Sequence, residues 1–464
     1  MRDYQGIIVA LVASGLLLAC ASDPPKRNDV LNLALGKTDV LPQWGSEFSV
    51  GKFDELTLGF PLDPQLKKLI QDAIVNNLDI RMARTRVDQS RGVLAAVSGT
   101  RLPNIGIGGQ LGTSTIPTST SAISGVGLIA NWELDIWGRV ASAAGASQAR
   151  LEASELDRVY TQQIIAASMI KSWIAVSEAK QQVALSQNLL DYAKKQNEYL
   201  AHGEKVGRNS AQEVSLNAAA IDMYQNQLIT YQTQLNQAKR SMEILLGRYP
   251  AAQLDASLDY PNPMTEIPAG IPSEIIARRP DVLAVQQRYN AAFYDVEDAK
   301  RARLPAIRLS GGIGYIDDSA ITLSSGINNP ISSLTGSIFA PLFMGGQLQA
   351  NQDIKTARQE EILAQYAKIA LRALSEVEYT LDNDRKLKDR QTAMTSQTNH
   401  MNKALSFEKQ KFQVGKSDQF QVLQQEIMLA NTKTNLIKIS ADRLRNRVDL
   451  HQALGGHFIS EVSR

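Results

Sequence analysis

The chain has 464 residues, 44% of them apolar and 21% charged, with a formal charge of +2. That balance argues against disorder for most of the chain and offers no clustered basic excess for a nucleic-acid partner. The single cysteine, Cys20, excludes an intrachain disulfide and a cysteine-based metal cluster.

Residues 7–19, IIVALVASGLLLA, form an apolar run of 13. This is short of the ~20 residues a membrane-spanning helix needs, and it matches the h-region of a signal peptide. The run ends in Leu17-Leu18-Ala19-Cys20, which resembles the bacterial lipobox. The resemblance implies that 1–19 is a signal peptide and that Cys20 carries lipid, palmitate included. An ordinary signal peptide that happens to contain cysteine is the alternative. Ala21, in place of an aspartate, favours the outer membrane over inner-membrane retention. Residues 20–62 are then a lipid-anchored N-terminal segment. No later segment has ~20 consecutive apolar residues, so no spanning helix is expected.

Residues 63–101 read as short helices, with Asp63 before Pro64 as an N-cap. Strands follow at 104–116 and 125–137. Ile105, Ile107 and Leu111 alternate with polar or glycine positions, as do Val126, Leu128, Ala130, Trp132 and Leu134. The Ser/Thr/Gly-rich stretch 112–125 reads as a hairpin tip. Trp132 and Trp137 suit an aromatic girdle or core packing. All 16 prolines lie in 24–117 or 250–341, so 118–249 and 342–464 are free to hold very long helices. Leu156, Tyr160, Gln163, Ala167 and Ile170 mark a seam along an expected helix 139–202, roughly 95 Å long. Gly203/Gly207 end it, and a return helix runs 210–246.

Residues 250–272 hold five prolines and link the first repeat (63–249) to a second (273–455). The second opens with a helix capped by Ser273. It continues with strands at 305–316 and 332–344, an exposed loop at 317–332, and helices 346–413 and 418–454 that turn at Gly415. A short tail, 456–464, follows. The copies share landmarks in one order: RLPNIGIGGQLG with RLPAIRLSGGIGY, and VGRNSAQEV with VGKSDQFQV at an offset of 208. Gly207 to Gly247 spans 40 residues, as does Gly415 to Gly455. Two copies of so long a unit exclude a solenoid.

Four strands leave two raw edges, which lipid does not tolerate. The chain must therefore close with copies of itself. Two copies give eight strands, a barrel that fills with side chains; three give twelve, which leave a channel.

These residues resemble the TolC-like outer-membrane factor family, of the OprM/NodT lipoprotein type. The carriers are Arg279-Pro280-Asp281-Val282, the two Arg-Leu-Pro strand entries, Trp137-Gly138-Arg139 and the two Val-Gly turns. The resemblance implies a fold that is mainly α with a small membrane β part. It implies a homotrimer with a twelve-stranded barrel in outer-membrane lipid and an α-helical tunnel in the periplasm. Its partners would be a periplasmic adaptor, contacting Gly207 and Gly415, and a proton-driven inner-membrane pump. The family's tunnel narrows at the turns matching 206–212 and 414–420. Glu213 fits the family's acidic position in the first copy. In the second copy Gln421 and Gln424 stand in its place, while Phe412 and Ser417 replace a tyrosine and an arginine that hold the turn closed. A ring of three Glu213 carboxylates would favour cations; the alternative is a solvated helix residue.

None of His202, His400, His451 and His457 has ligand spacing, and no nucleophile elbow or P-loop is present. No cofactor is implied, and an enzyme has no supporting constellation. The function expected is a passive exit duct for small molecules such as drugs. The alternatives are a conduit for secreted polypeptides and a non-conducting envelope spacer.

Overall fold

The computed structural model describes residues 23–36, 44–45, 60–116, 119–257, 272–318, 331–456 and 458. Cys20, the linker from 258 onward, the loop 319–330 and most of the tail lie outside the described residues. The elements in order are α1 (Arg27–Leu35), α2 (Pro64–Asn76), α3 (Leu78–Gly99), β1 (Asn104–Ile116), β2 (Ser119–Leu134), α4 (Arg139–Lys205), α5 (Ala211–Leu245), α6 (Pro272–Arg278), α7 (Pro280–Arg301), β3 (Ala306–Asp318), β4 (Ile331–Phe339), α8 (Gln347–Gln413) and α9 (Gln419–Ala453).

The duplication is metrically close. Both α4 and α8 have 67 residues, and both α5 and α9 have 35. Each of the long helices begins 208 residues after its counterpart, whereas α7 and β3 begin 202 after α3 and β1. The second hairpin is therefore about six residues longer. At about 1.5 Å per residue, α4 and α8 each reach about 100 Å.

The chain divides into two compact units. One holds α1, the four strands and the helical segments 85–156 and 283–369. Its strands form one antiparallel sheet in the order β1-β2-β3-β4. The helices start from tight local geometry. Asp135 accepts the Val140 and Ala141 N–H groups at 2.9 and 2.7 Å, capping α4. Gly138 bends the chain there with φ +72°, and the Trp137 indole donates to Pro305 O at 2.7 Å. Arg139 pairs with Glu133 at 2.7 Å.

The other unit holds 40–84, 157–282 and 370–464 as far as they are described. Its main core packs Leu66, Ile70 and Ile80 against Ile165, Met169 and Ile170 of α4, Met242 of α5 and Leu444 and Val448 of α9. Burying side chains of this size stabilises by roughly 1.5–3 kcal/mol each. A smaller core joins Ile275, Val377, Leu381, Leu450 and Leu454. Above it lies the Arg279-Pro280-Asp281 motif. The Arg279 guanidinium grips Asp281 through two bonds of 3.0 and 2.8 Å. It also meets Glu376 at 2.8 Å and donates to Ala453 O at 3.3 Å. With Arg278 donating to Leu454 O at 2.6 Å, the motif holds the C-terminal carbonyls of α9. Asp63 caps α2 by accepting from the Gln65 N–H at 2.7 Å, with Pro64 in the first turn.

Several expected boundaries differ. The hairpin reverses within 112–125 as expected, but more tightly: β1 runs to Ile116 and β2 starts at Ser119, with Thr113 paired to Ala122. Ser and Thr here continue the ladder, which threonine suits. The strand expected at 125–137 ends at Leu134, because Asp135 already serves the cap of α4. The strand expected at 332–344 ends at Phe339, before Pro341, which has no N–H to donate. Ser273 lies inside α6, which starts at Pro272, so it is not the N-cap. Gly203 does not end α4. The helix runs on to Lys205, and glycine is needed at 203 because an added Cβ would lie 1.9 Å from Asn209 Oδ1.

Candidate functional site

The sheet has two chemically distinct faces. The register places Ile107, Leu128 and Ile313 side by side, and likewise Trp132 and Leu309. Ile107 is 80% exposed and Leu334 83% exposed, so this apolar face is covered by nothing among the described residues. Such a patch marks a lipid or partner surface. The opposite face carries Asn131, which is bonded to Ser310 at 2.9 Å, with Glu133, Arg308 and glycines. Gly127 pairs with Gly314, where an added Cβ would lie 2.8 and 2.6 Å from the facing backbone. Glycine is required there because the strands approach closely on the polar side. The outer edges of β1 and β4 pair with no strand among the described residues. Trp132 donates to Arg101 O at 2.9 Å, and neither Trp132 nor Trp137 belongs to a buried core.

The two helical turns are built alike. Gly207 and Gly415 have φ of +74° and +70°. Arg208 N–H reaches back to Gly203 O at 2.7 Å, and Lys416 N–H to Lys411 O at 2.8 Å. These are the helix endings in which a left-handed glycine closes the last turn. Each return helix is then capped. Ser210 accepts the Glu213 N–H at 3.2 Å, and Asp418 accepts the Gln421 N–H at 2.8 Å. Glu213 completes a capping box, its Oε2 accepting the Ser210 N–H at 2.7 Å. That backbone bond, together with the Ser210 hydroxyl, holds the Glu213 carboxyl below the usual carboxylate range.

The second-copy residues find other partners. The Ser417 hydroxyl donates to Glu408, and this bond is the first cause holding that carboxyl below its usual range. Phe412 packs with Met401, Leu405, Val422 and Leu429. Gln421 is exposed in the first turn of α9, and Gln424 is half-buried on the same helix.

One cluster escaped the sequence reading. Glu426 is 7% exposed and pairs with Lys409 at 2.7 Å. Lys409 lies 5.3 Å over the Tyr192 ring, and the Tyr192 hydroxyl bonds Glu426. Burial, seconded by the Glu426 charge, raises the Tyr192 hydroxyl and pushes Tyr224 up to about 12. Gln419 bonds Gln196 nearby. The available signal was Glu426 itself, an ionisable residue in the stripe Val422, Leu423, Leu429, Ala430. His451, by contrast, is fully buried with its ring 4.9 Å from Phe458, a packing role; His457 lies outside the described residues.

An uncovered two-faced sheet with free edges, in a chain that also carries paired helices of 67 and 35 residues, defines a channel-wall protomer. The model of the outer membrane efflux protein family matches residues 69–248 and 271–456, and the chain belongs to that family. It is 27% identical to the pyoverdine export outer membrane protein OpmQ of Pseudomonas aeruginosa, over 98% of this chain and 97% of that protein. It is 27% identical to the cation efflux system protein CusC of Escherichia coli, over 86% and 88%. Among solved structures it is similar to CusC, with a TM-score of 0.82 at 23% identity over 94% of this chain and 100% of that one. The outer-membrane channel OprN gives 0.83 at 22% over 95% and 100%. The fold is thus mainly α with a small β part, as the resemblance implied, and the family is one of efflux channels of the outer membrane.

Proposed function

We propose that the chain is the outer-membrane duct of a tripartite efflux system, a passive exit for small molecules closed by three copies. The observation that carries this reading is the sheet, apolar on one exposed face, polar and glycine-rich on the other, with two free edges. Joining β4 of one copy to β1 of the next removes both edges, and three copies make a twelve-stranded wall around a wet lumen. The helices support the same closure. Leu216, Met223 and Ile229 of α5 and Leu371, Tyr379 and Phe407 of α8 are exposed apolar residues that neighbouring copies would cover.

In this reading Cys20 carries lipid and anchors the chain to the outer membrane. The turns at Gly207 and Gly415 meet a periplasmic adaptor that links the duct to a proton-driven inner-membrane pump. Glu213, Gln421, Gln424, Phe412 and Ser417 surround the narrow end, and three Glu213 carboxylates ring its axis. The relatives are named for pyoverdine, cations and toluene, so the family supports no single cargo.

Purified protein should run as a heat-modifiable oligomer and give single-channel conductance in planar bilayers. A deletion strain should become drug-sensitive and recover with the intact gene. Protein that conducts nothing would leave a structural spacer as the better reading. Radiolabelled palmitate should enter wild-type protein and not Cys20→Ser.

A further inference from the structure

Near its helical end, the polar face of the sheet holds one undercommitted cation. Arg308 of β3 stands between Glu133 of β2 and Ser337 of β4 in the register, with its side chain 65% exposed. Its ion partner is Glu133, whose Oε2 lies 3.7 Å from the Arg308 Nε, beyond hydrogen-bond reach. The other oxygen, Oε1, is taken by Arg139 through bonds of 3.1 and 2.7 Å. One carboxylate thus serves two guanidiniums, and Arg139 also has Asp298 at 3.4 Å. The terminal nitrogens of Arg308 donate no hydrogen bond among the described residues. A cavity of about 310 Å³ opens beside it, lined also by Phe339, Pro341, Met344 and Leu348. Phe339 pairs with Ala306, so it shares the face of Arg308 as its diagonal neighbour, and it is 61% exposed. At that spacing aromatic and long side chains reach one another.

We infer that Arg308 and Phe339 form a binding subsite for anionic solutes with an aromatic body, such as aryl carboxylates, sulfonates and phosphates. The inference rests on the duct reading above, in which this face lines the lumen, and it adds a class of cargo. Two parallel N–H donors of a guanidinium match two oxygens of such an anion. The Phe339 ring and the apolar wall take the aromatic body. Three copies set three Arg308 side chains around the lumen, and rings of arginine favour anions in pores. The apolar face that meets lipid is the opposite one, so the occupant is a solute in transit, not a lipid headgroup.

Single-channel recording of the full-length protein in phosphatidylcholine bilayers tests this, with benzenesulfonate as the probe. Benzenesulfonate should block wild-type current saturably, and methanesulfonate, which lacks the ring, only at higher concentration. Arg308→Gln should raise the half-blocking concentration of benzenesulfonate about tenfold, as loss of a charged hydrogen bond requires. Arg308→Lys, which keeps the charge and loses the fork, should raise it less. Phe339→Ala, which leaves every charge in place, should raise it about threefold. Any effect of benzyltrimethylammonium, the same ring with the opposite charge, should be equal in wild type and Arg308→Gln. Conducting Arg308→Gln and Phe339→Ala channels with the wild-type half-block would overturn the inference and leave the duct intact. Block that disappears when anionic phosphatidylglycerol is added to the bilayer would place a headgroup at Arg308 and overturn it too. Wild-type protein that conducts nothing would instead remove the duct reading, and this inference with it.

Discussion

The first and second copies of the helix pair have equal lengths and matching turns, yet they occupy different chemical environments. Within a single protomer the described buried residues number six in α5 and sixteen in α9. The α9 helix is packed against both pairs, through Leu423 on one side and Val422 on the other. Its buried Glu426 and the partner Lys409 correspond, at the offset of 208, to Ala218 and Ala201 in the first copy. A repeated backbone therefore does not imply repeated burial. The central helix accepts an ionic group and must satisfy it; the peripheral helix has alanine there and no such need.

The sharpest way to break that contrast is Lys409→Ala. It leaves the Glu426 carboxylate without its cation in a site 7% exposed, and about 1–3 kcal/mol should be lost. Urea unfolding followed by helical circular dichroism measures it. The counterpart position is Ala201, where Ala201→Ser should stay within about 0.5 kcal/mol, and equal losses at both positions would refute the asymmetry.

The turns make the opposite test, because their backbones agree. Gly207→Ala and Gly415→Ala meet no atom within 4 Å, so only the positive φ is strained. Each should cost about 1–2 kcal/mol, and equally. Thermal melts of the two variants that differ by more than about 1 kcal/mol would show that the turns are not equivalent. Ser210→Ala and Asp418→Ala should each cost about 1 kcal/mol by removing one cap.

The smallest effect separates the copies again. The Glu213 carboxyl is depressed by its capping bonds, whereas Gln421 does not titrate. A depressed carboxyl contributes stability above its unfolded value, about 4.3, and that contribution disappears as pH falls through its folded value. Wild type and Glu213→Gln should therefore differ most at neutral pH and converge in acid. The same variant tests the proposed ring in reconstituted trimers: cation preference should fall, and an unchanged reversal potential would exclude the ring.

Much of the site was legible because capping and turning are local. Gly207 with Gly415 was read from the sequence; Ser210 with Glu213 and Asp418 before its helix were not read as caps there, although their spacing is a local signal. The expectations for Phe412 and Ser417 stopped at the residues they lack. Phe412 gains an apolar cluster and Ser417 gains Glu408, nine residues earlier, which no family pattern indicated. The reading of 112–125 placed the reversal correctly but made the loop too long, because composition alone does not reveal a facing ladder partner.

From the sequence alone came the duplication, the types of its elements, the two-faced strands and the need for further copies to close the sheet. These follow from periodicity, proline exclusion and edge chemistry, which act over short stretches of chain. Tertiary structure alone decided that α9 is central and α5 peripheral, that Glu426 is buried with Lys409, and that Arg279 holds the end of α9. Burial and ion pairing depend on groups tens to hundreds of residues apart, and two copies of one pattern meet different neighbours once folded.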